Sequence, residues 1–160
     1  MNIEGLTIRR AAPADASGIA SLEHECFGDE ALPLITIVQY LELFAASSLV
    51  AIRSERCVGA LIAGASVDDP GCAWVLDLAV HPQAQGKGLA SAMLGRVLVR
   101  FRDHGVGEVR ATVSPKNAPS LALFSRAGFV IERTEPAYFG AGEVRHILRL
   151  ELESEPRSHG

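Results

Sequence analysis

Residues 73–80, AWVLDLAV, limit how this chain can fold more than any other stretch: apart from Asp77 they are apolar, and they lead into HPQAQGKGLA and a helical pattern. A strand with one wet face alternates apolar and polar side chains, whereas a run that is apolar on both parities belongs to a strand buried on both sides. The segment that follows predicts a helix over 88–104, with Ala90, Leu94, Val97, Leu98 and Phe101 on its buried face and Gly105 and Gly107 ending it. A doubly covered strand, a glycine loop and an amphipathic helix in succession require a sheet with helices packed on it.

The remaining segments supply that sheet. Residues 6–11 predict a first strand. Pro13 opens a helix on which Ile19, Leu22 and Cys26 share a face, and a second, apolar-rich helix is expected over 34–45. Strands at 48–53 and 57–65 flank the polar turn Ser54-Glu55-Arg56, the pattern of a hairpin. A strand over 109–113, a helix over 117–127 with Pro119 in its first turn and Gly128 as its stop, a strand at Phe129 and a last strand over 144–152 complete the series. This order predicts an α/β chain with a mixed sheet. With 160 residues, 48% hydrophobic and 21% charged, the chain suits a single domain over 1–152, with 153–160 as a disordered tail.

Charge and cysteine content exclude several classes. A formal net charge of -4 gives no general attraction to nucleic acid or to an anionic membrane. The opening MNIEGLTIRR lacks the apolar core of a secretory signal, and no apolar run reaches membrane-spanning length. Cys26, Cys57 and Cys72 are far apart and have no metal-ligand spacing. These features predict a cytoplasmic protein with neither disulfides nor a bound metal.

The join between strand and helix is where chemistry is expected. A helix N-terminus carries unpaired N–H groups and a partial positive charge, and Gly86 and Gly88 let an anion approach the backbone closely. Together they make an anion-binding nest. GxxxxGK[ST] fails because no first glycine is supplied and Gly88 follows Lys87 where Ser or Thr is required. GxGxxG fails because Ser91 holds its sixth position. Taken alone, the segment also reads as a tight strand-to-helix turn.

Gln85-Gly86-Lys87-Gly88-Leu89-Ala90, preceded by Leu78-Ala79-Val80-His81-Pro82, resembles the cofactor loop of the GNAT superfamily of N-acetyltransferases, which reads Gln/Arg-x-x-Gly-x-Gly/Ala. A second stretch, Asn117-Ala118-Pro119-Ser120-Leu121-Ala122-Leu123-Phe124-Ser125-Arg126-Ala127-Gly128-Phe129, resembles another segment of the same family. The resemblance implies a GNAT-like mixed central sheet of about seven strands flanked by about four helices, and acetyl-CoA as cosubstrate without a metal. It implies that the backbone of Leu78, Ala79 and Val80 pairs with the pantetheine arm and that Gln85, Gly86, Lys87, Gly88, Leu89, Ala90 and Ser91 hold the pyrophosphate. It also implies that Asn117 bonds the pantetheine, with Ser120 and Phe124 completing the cofactor set.

The resemblance further implies direct attack of a neutral amine on the thioester, helped by a base and by an acid for the leaving thiolate. Two familiar positions do not match. Phe124 stands where many relatives have a tyrosine acid, and Thr112 stands where the branch that acetylates ribosomal-protein N-termini often has a glutamate base. Asp77, in its apolar strand, is either the base or a structural carboxylate. Tyr138 either serves the acceptor and the thiolate or is a packing residue. Glu143, after Gly142, is the candidate for the acceptor's ammonium, with His146 weaker. Glu23, His24 and Glu25 either line an acceptor groove or are solvated helix charges.

The acceptor is then an amine on a small molecule or a polypeptide. The pair Tyr138-Phe139 with Gly142-Glu143 leans towards the N-terminal-acetylating branch, while ATVSPKNAPSLALF is similar to acetyltransferases of small diamines such as diaminobutyrate. A homodimer is compatible with the resemblance. The alternative to an enzyme is a module that senses acetyl-CoA without turnover.

Overall fold

The computed structural model describes residues 5–153, so the tail expected at 153–160 lies, but for Glu153, outside the described residues. The elements run β1 (Leu6–Arg10), α1 (Ala16–Phe27), α2 (Leu34–Phe44), β2 (Leu49–Arg53), β3 (Arg56–Ala65), β4 (Cys72–Val80), α3 (Leu89–Asp103), β5 (Glu108–Val113), α4 (Ala118–Arg126), β6 (Val130–Glu135) and β7 (Arg145–Glu151). The seven strands form one mixed sheet in the order β1-β2-β3-β4-β5-β7-β6, with four helices. Two compact units divide it: one holds the chain up to 64 together with 75–97, the other 65–74 together with 98 onward.

In the first unit β1 pairs antiparallel with β2, and β2 with β3. The β2–β3 turn is two residues long, and Ser54 and Glu55 both adopt positive φ, 50° and 63°. That is a type I′ turn, whose twist matches its strands. The core draws Ile19 and Leu22 from α1, Ile37 and Leu41 from α2, Val50 from β2, Ala60 from β3 and Ala79 from β4. The spacings 19/22 and 37/41 put each pair on one helical face, and burying each of the large side chains contributes about 1.5–3 kcal/mol. Gly64 on β3 lies against Phe44 at the end of α2, so closely that an added Cβ would come within 2.2 Å of the ring. Next to it the buried Ser48 hydroxyl donates to the Phe44 carbonyl at 2.8 Å and accepts the Ala63 N–H at 3.2 Å.

In the second unit β7 lies between β5 and β6, antiparallel to both. Phe124 from α4 meets Phe129 edge to face, ring centres 5.0 Å apart. Arg110 bridges Glu108 and Glu132, and Arg149 pairs with Glu108 and Glu151.

One expectation is corrected along β4. Cys72, Ala73 and Val75 are buried, but Leu76 is 38% exposed and Leu78 and Val80 are only partly covered. Double burial therefore ends where the strand approaches the glycine loop. Among the described residues no helix is long and apolar enough to cross a membrane.

Candidate active site

The turn after β4 is held from several directions. The His81 N–H donates to the Val58 carbonyl at 2.9 Å, and its ring Nδ1 accepts the Gln83 N–H at 3.1 Å. With Nδ1 accepting, the ring proton sits on Nε2, which faces a Glu25 carboxylate oxygen at 2.5 Å. Arg56 also holds Glu25, at 2.5 and 2.6 Å, and chiefly for that reason the Glu25 carboxyl lies below its usual range. The Gln85 side chain donates back to the Val80 carbonyl at 2.9 Å, so this residue straps the turn.

Gly86 and Gly88 then take positive φ, 75° and 80°, and α3 starts at Leu89. Side chains resist this left-handed conformation, and no atom lies within 4 Å of where a Cβ would stand on Gly86. Among the described residues the amides of Gly88, Leu89, Ala90 and Ser91 donate to no protein acceptor. Consecutive free N–H groups at the positive end of a 15-residue helix form a cradle for a polyanion, so the chain fits a pyrophosphate here. The Lys87 side chain is exposed beside it.

Asp77 falls on the β4 face of Val75 and Ala79, turned to the same interior as α1. Its Oδ2 is shielded from solvent and has no hydrogen-bond partner. Burial, and after it the neighbouring Glu23 carboxyl, push the Asp77 carboxyl well above the usual carboxylate range. Glu23 is the residue whose burial sequence reasoning missed. Of the three helix residues read as groove-lining or solvated, His24 and Glu25 are exposed, whereas Glu23 is 1% exposed. The signal was its place beside Leu22 and four residues after Ile19, on the apolar face. From the same helix the Cys26 thiol donates to the Val80 carbonyl at 3.3 Å.

The second unit holds the other residues singled out from the sequence. Asn117 caps α4, its Oδ1 accepting the Ser120 N–H at 3.2 Å, which leaves its amide nitrogen uncommitted. Phe124 is 4% exposed and serves the packing with Phe129. Thr112 is partly buried on β5. Tyr138 is exposed, stacks edge-on against Phe139, and donates its N–H to the Glu143 carbonyl at 3.1 Å. The Glu143 carboxylate is paired with Arg145 at 3.1 Å, and that guanidinium lies 5.2 Å from the centre of the Phe139 ring. The His146 Nδ1 is 2.8 Å from the Thr134 hydroxyl.

Comparison with known proteins assigns this succession of strand, glycine loop and helices to one class of acyltransferase. The profile of the Acetyltransferase (GNAT) family matches residues 16–129, and the chain belongs to that family. An L-2,4-diaminobutyric acid acetyltransferase from Halalkalibacterium halodurans is 31% identical over 121 residues, 76% of this chain. The chain spans 64% of that relative's length. The ribosomal-protein-S18-alanine N-acetyltransferase from Escherichia coli superimposes with a TM-score of 0.83 at 18% identity, over 97% of this chain and 99% of that one. The yncA structure from Salmonella typhimurium, determined with its cofactor acetyl-CoA, gives 0.76 at 23% identity, over 95% and 96%. At such identities these two likenesses establish the fold.

Proposed function

We propose that this chain moves an acetyl group from acetyl-CoA to a primary amine by direct attack within a ternary complex. The observation that carries the reading is the row of free amides from Gly88 to Ser91 at the start of α3. These amides bind the pyrophosphate, Lys87 adds a positive charge, and the Asn117 amide nitrogen and the backbone of Leu78, Ala79 and Val80 take the pantetheine. Ser120 and Phe124 belong to the same proposed cofactor set. The partly uncovered Leu76, Leu78 and Val80 support this assignment, because apolar side chains at the end of a strand gain from being covered by a ligand.

The bound thioester supplies the activated acyl group. Asp77 takes the proton of the acceptor ammonium, a task suited to a carboxyl whose proton affinity is already high. Tyr138 and Glu143, tied in one loop, contact the acceptor, whose ammonium competes with Arg145 for Glu143. The named relative makes 2,4-diaminobutyrate the first acceptor to try; N-terminal alanine peptides follow. We read residues 1–152 as one acyltransferase domain acting in the cytoplasm, and a homodimer is compatible with it.

Thiol release from acetyl-CoA with a panel of amines tests the activity. Phe124, which cannot donate a proton where a tyrosine acid is usual, favours a second reading, a sensor that binds acetyl-CoA without turnover. Tight binding with no thiol release from any acceptor selects it. Gly88→Glu tests the cradle. A carboxylate facing the pyrophosphate is expected to weaken acetyl-CoA binding at least about 100-fold, like charges in contact costing several kcal/mol. Calorimetry measures this, circular dichroism confirms folding, and unchanged affinity removes the assignment.

A further inference from the structure

The stretch between β4 and α3 contains two glycines in the left-handed conformation, Gly86 and Gly88, and glycine permits such a shape without enforcing it. Consecutive amides hold an anion tightly when they are already aimed at it, because ordering a loose loop on binding costs affinity. What fixes this loop must therefore come from outside its glycines.

Packing fixes the end towards α3. Leu89 and Met93 are buried against Gly59 of β3, where an added Cβ would lie 3.1 Å from each of their side chains. His81 fixes the end towards β4. Its N–H is held by the Val58 carbonyl, also on β3, and its own carbonyl accepts the Ala84 N–H at 2.8 Å. The ring side chain is only 12% exposed and uses its two nitrogens in opposite directions. Nδ1 accepts the Gln83 N–H inside the turn, and Nε2 donates to Glu25 on α1 at 2.5 Å. Arg56, again from β3, donates to both Glu25 oxygens.

Arg56, Glu25, the His81 ring and the Gln83 amide thus form one unbroken chain of hydrogen bonds from β3 through α1 to the turn ahead of the glycine loop. An exposed ion pair such as Arg56 with Glu25 contributes little stability by itself. It suits a different task. A carboxylate accepts an imidazole N–H more strongly than a neutral group does, and Arg56 holds that carboxylate in one orientation.

We propose that Glu25 and His81 are positioning residues for acetyl-CoA. Glu25, oriented by Arg56, fixes the His81 ring, and the ring fixes the turn from which the amides of Gly88, Leu89, Ala90 and Ser91 are presented. This rests on the reading above that those amides hold the pyrophosphate. Neither residue acts on the acyl group, so the effect falls on cofactor binding and not on the chemical step.

Calorimetry with acetyl-CoA and the full chain, without acceptor, tests this in His81→Asn, Glu25→Ala and the double variant. The shorter Asn side chain keeps an acceptor for Gln83 but no longer reaches Glu25. Each single variant is expected to bind about tenfold more weakly at unchanged stoichiometry, about the worth of one charge-assisted hydrogen bond. The double variant is expected to bind no more weakly than His81→Asn, because Glu25 acts through the ring. Unchanged affinity, or two losses that add, overturns the proposal. Lower stoichiometry at unchanged affinity means a role in folding alone and overturns it too.

NMR relaxation of the Gly88–Ser91 amides in the free chain supplies a second reading. Order parameters of about 0.85 in wild type are expected to fall towards about 0.6 in both single variants. Unchanged values overturn the proposal, as do values already below about 0.6 in wild type, a measurement that needs no variant to fold. With 2,4-diaminobutyrate as acceptor, KM for acetyl-CoA rises about tenfold while kcat stays within about twofold, and a fall in kcat alone overturns the assignment. If wild type does not bind acetyl-CoA, the pyrophosphate reading fails, and relaxation still decides whether Glu25 and His81 hold the loop.

Discussion

Ser54 and Glu55 show how much one residue's backbone can hold against its preference. Both sit in the left-handed region, where a side chain costs about 1–2 kcal/mol per residue, and both do so because a two-residue turn must match the twist of β2 and β3. Replacing them with Asn-Gly, which adopts that geometry readily, is expected to stabilise the fold by about 0.5–1 kcal/mol after the greater freedom of glycine in the unfolded chain is subtracted. That amounts to about 1–4 °C in Tm for a chain of this size, read by calorimetry. The sequence pattern located this hairpin but named a three-residue turn. Arg56 pairs with Arg53 as the first residue of β3, because the positive φ values close the turn one residue sooner than polarity suggests.

At the scale of elements, α2 is fixed by what a glycine lacks. Phe44 occupies the space over Gly64, so Gly64→Ala is expected to destabilise the protein by about 1–3 kcal/mol and to lower Tm by several degrees. Combined with Phe44→Leu, it should cost less than the sum of the two single changes, which a denaturant-based cycle measures. Most helix and strand boundaries were legible to within a residue or two, because apolar spacing, Pro119 and Gly128 mark them directly, whereas Pro13 opens a 3-10 turn three residues ahead of α1. Burial along β4 was not. Apolar spacing reads the same whether protein or a ligand covers a side chain, and Leu76, Leu78 and Val80 belong to that ambiguity. Glu23 escaped for the opposite reason. A glutamate on a helix reads as solvated unless its neighbours Ile19 and Leu22 are allowed to set its face, and Asp77, whose carboxyl it helps to raise, lies 54 residues away, where no local pattern reaches.

Taken as a whole chain, the family could be read from two segments because glycine positions and a helix-capping asparagine answer backbone needs that few other residues meet. A proton path could not, because it would depend on side chains that only the fold brings together. The three cysteines carry a consequence of a different kind. Burial pushes Cys26 and Cys57 up to about 11, and Cys72 is raised chiefly for the same reason. At pH 7 a thiol of that strength is ionised in about one molecule in ten thousand, and thiolate is the reactive form. Ellman's reagent at pH 7 is therefore expected to modify the native chain far more slowly than the unfolded one. A cysteine placed at the exposed Val67 should react first, and well ahead of the native three. The molecule comes with a silent chemical background, so fluorophores or spin labels can be attached at chosen points without first removing its own sulfur.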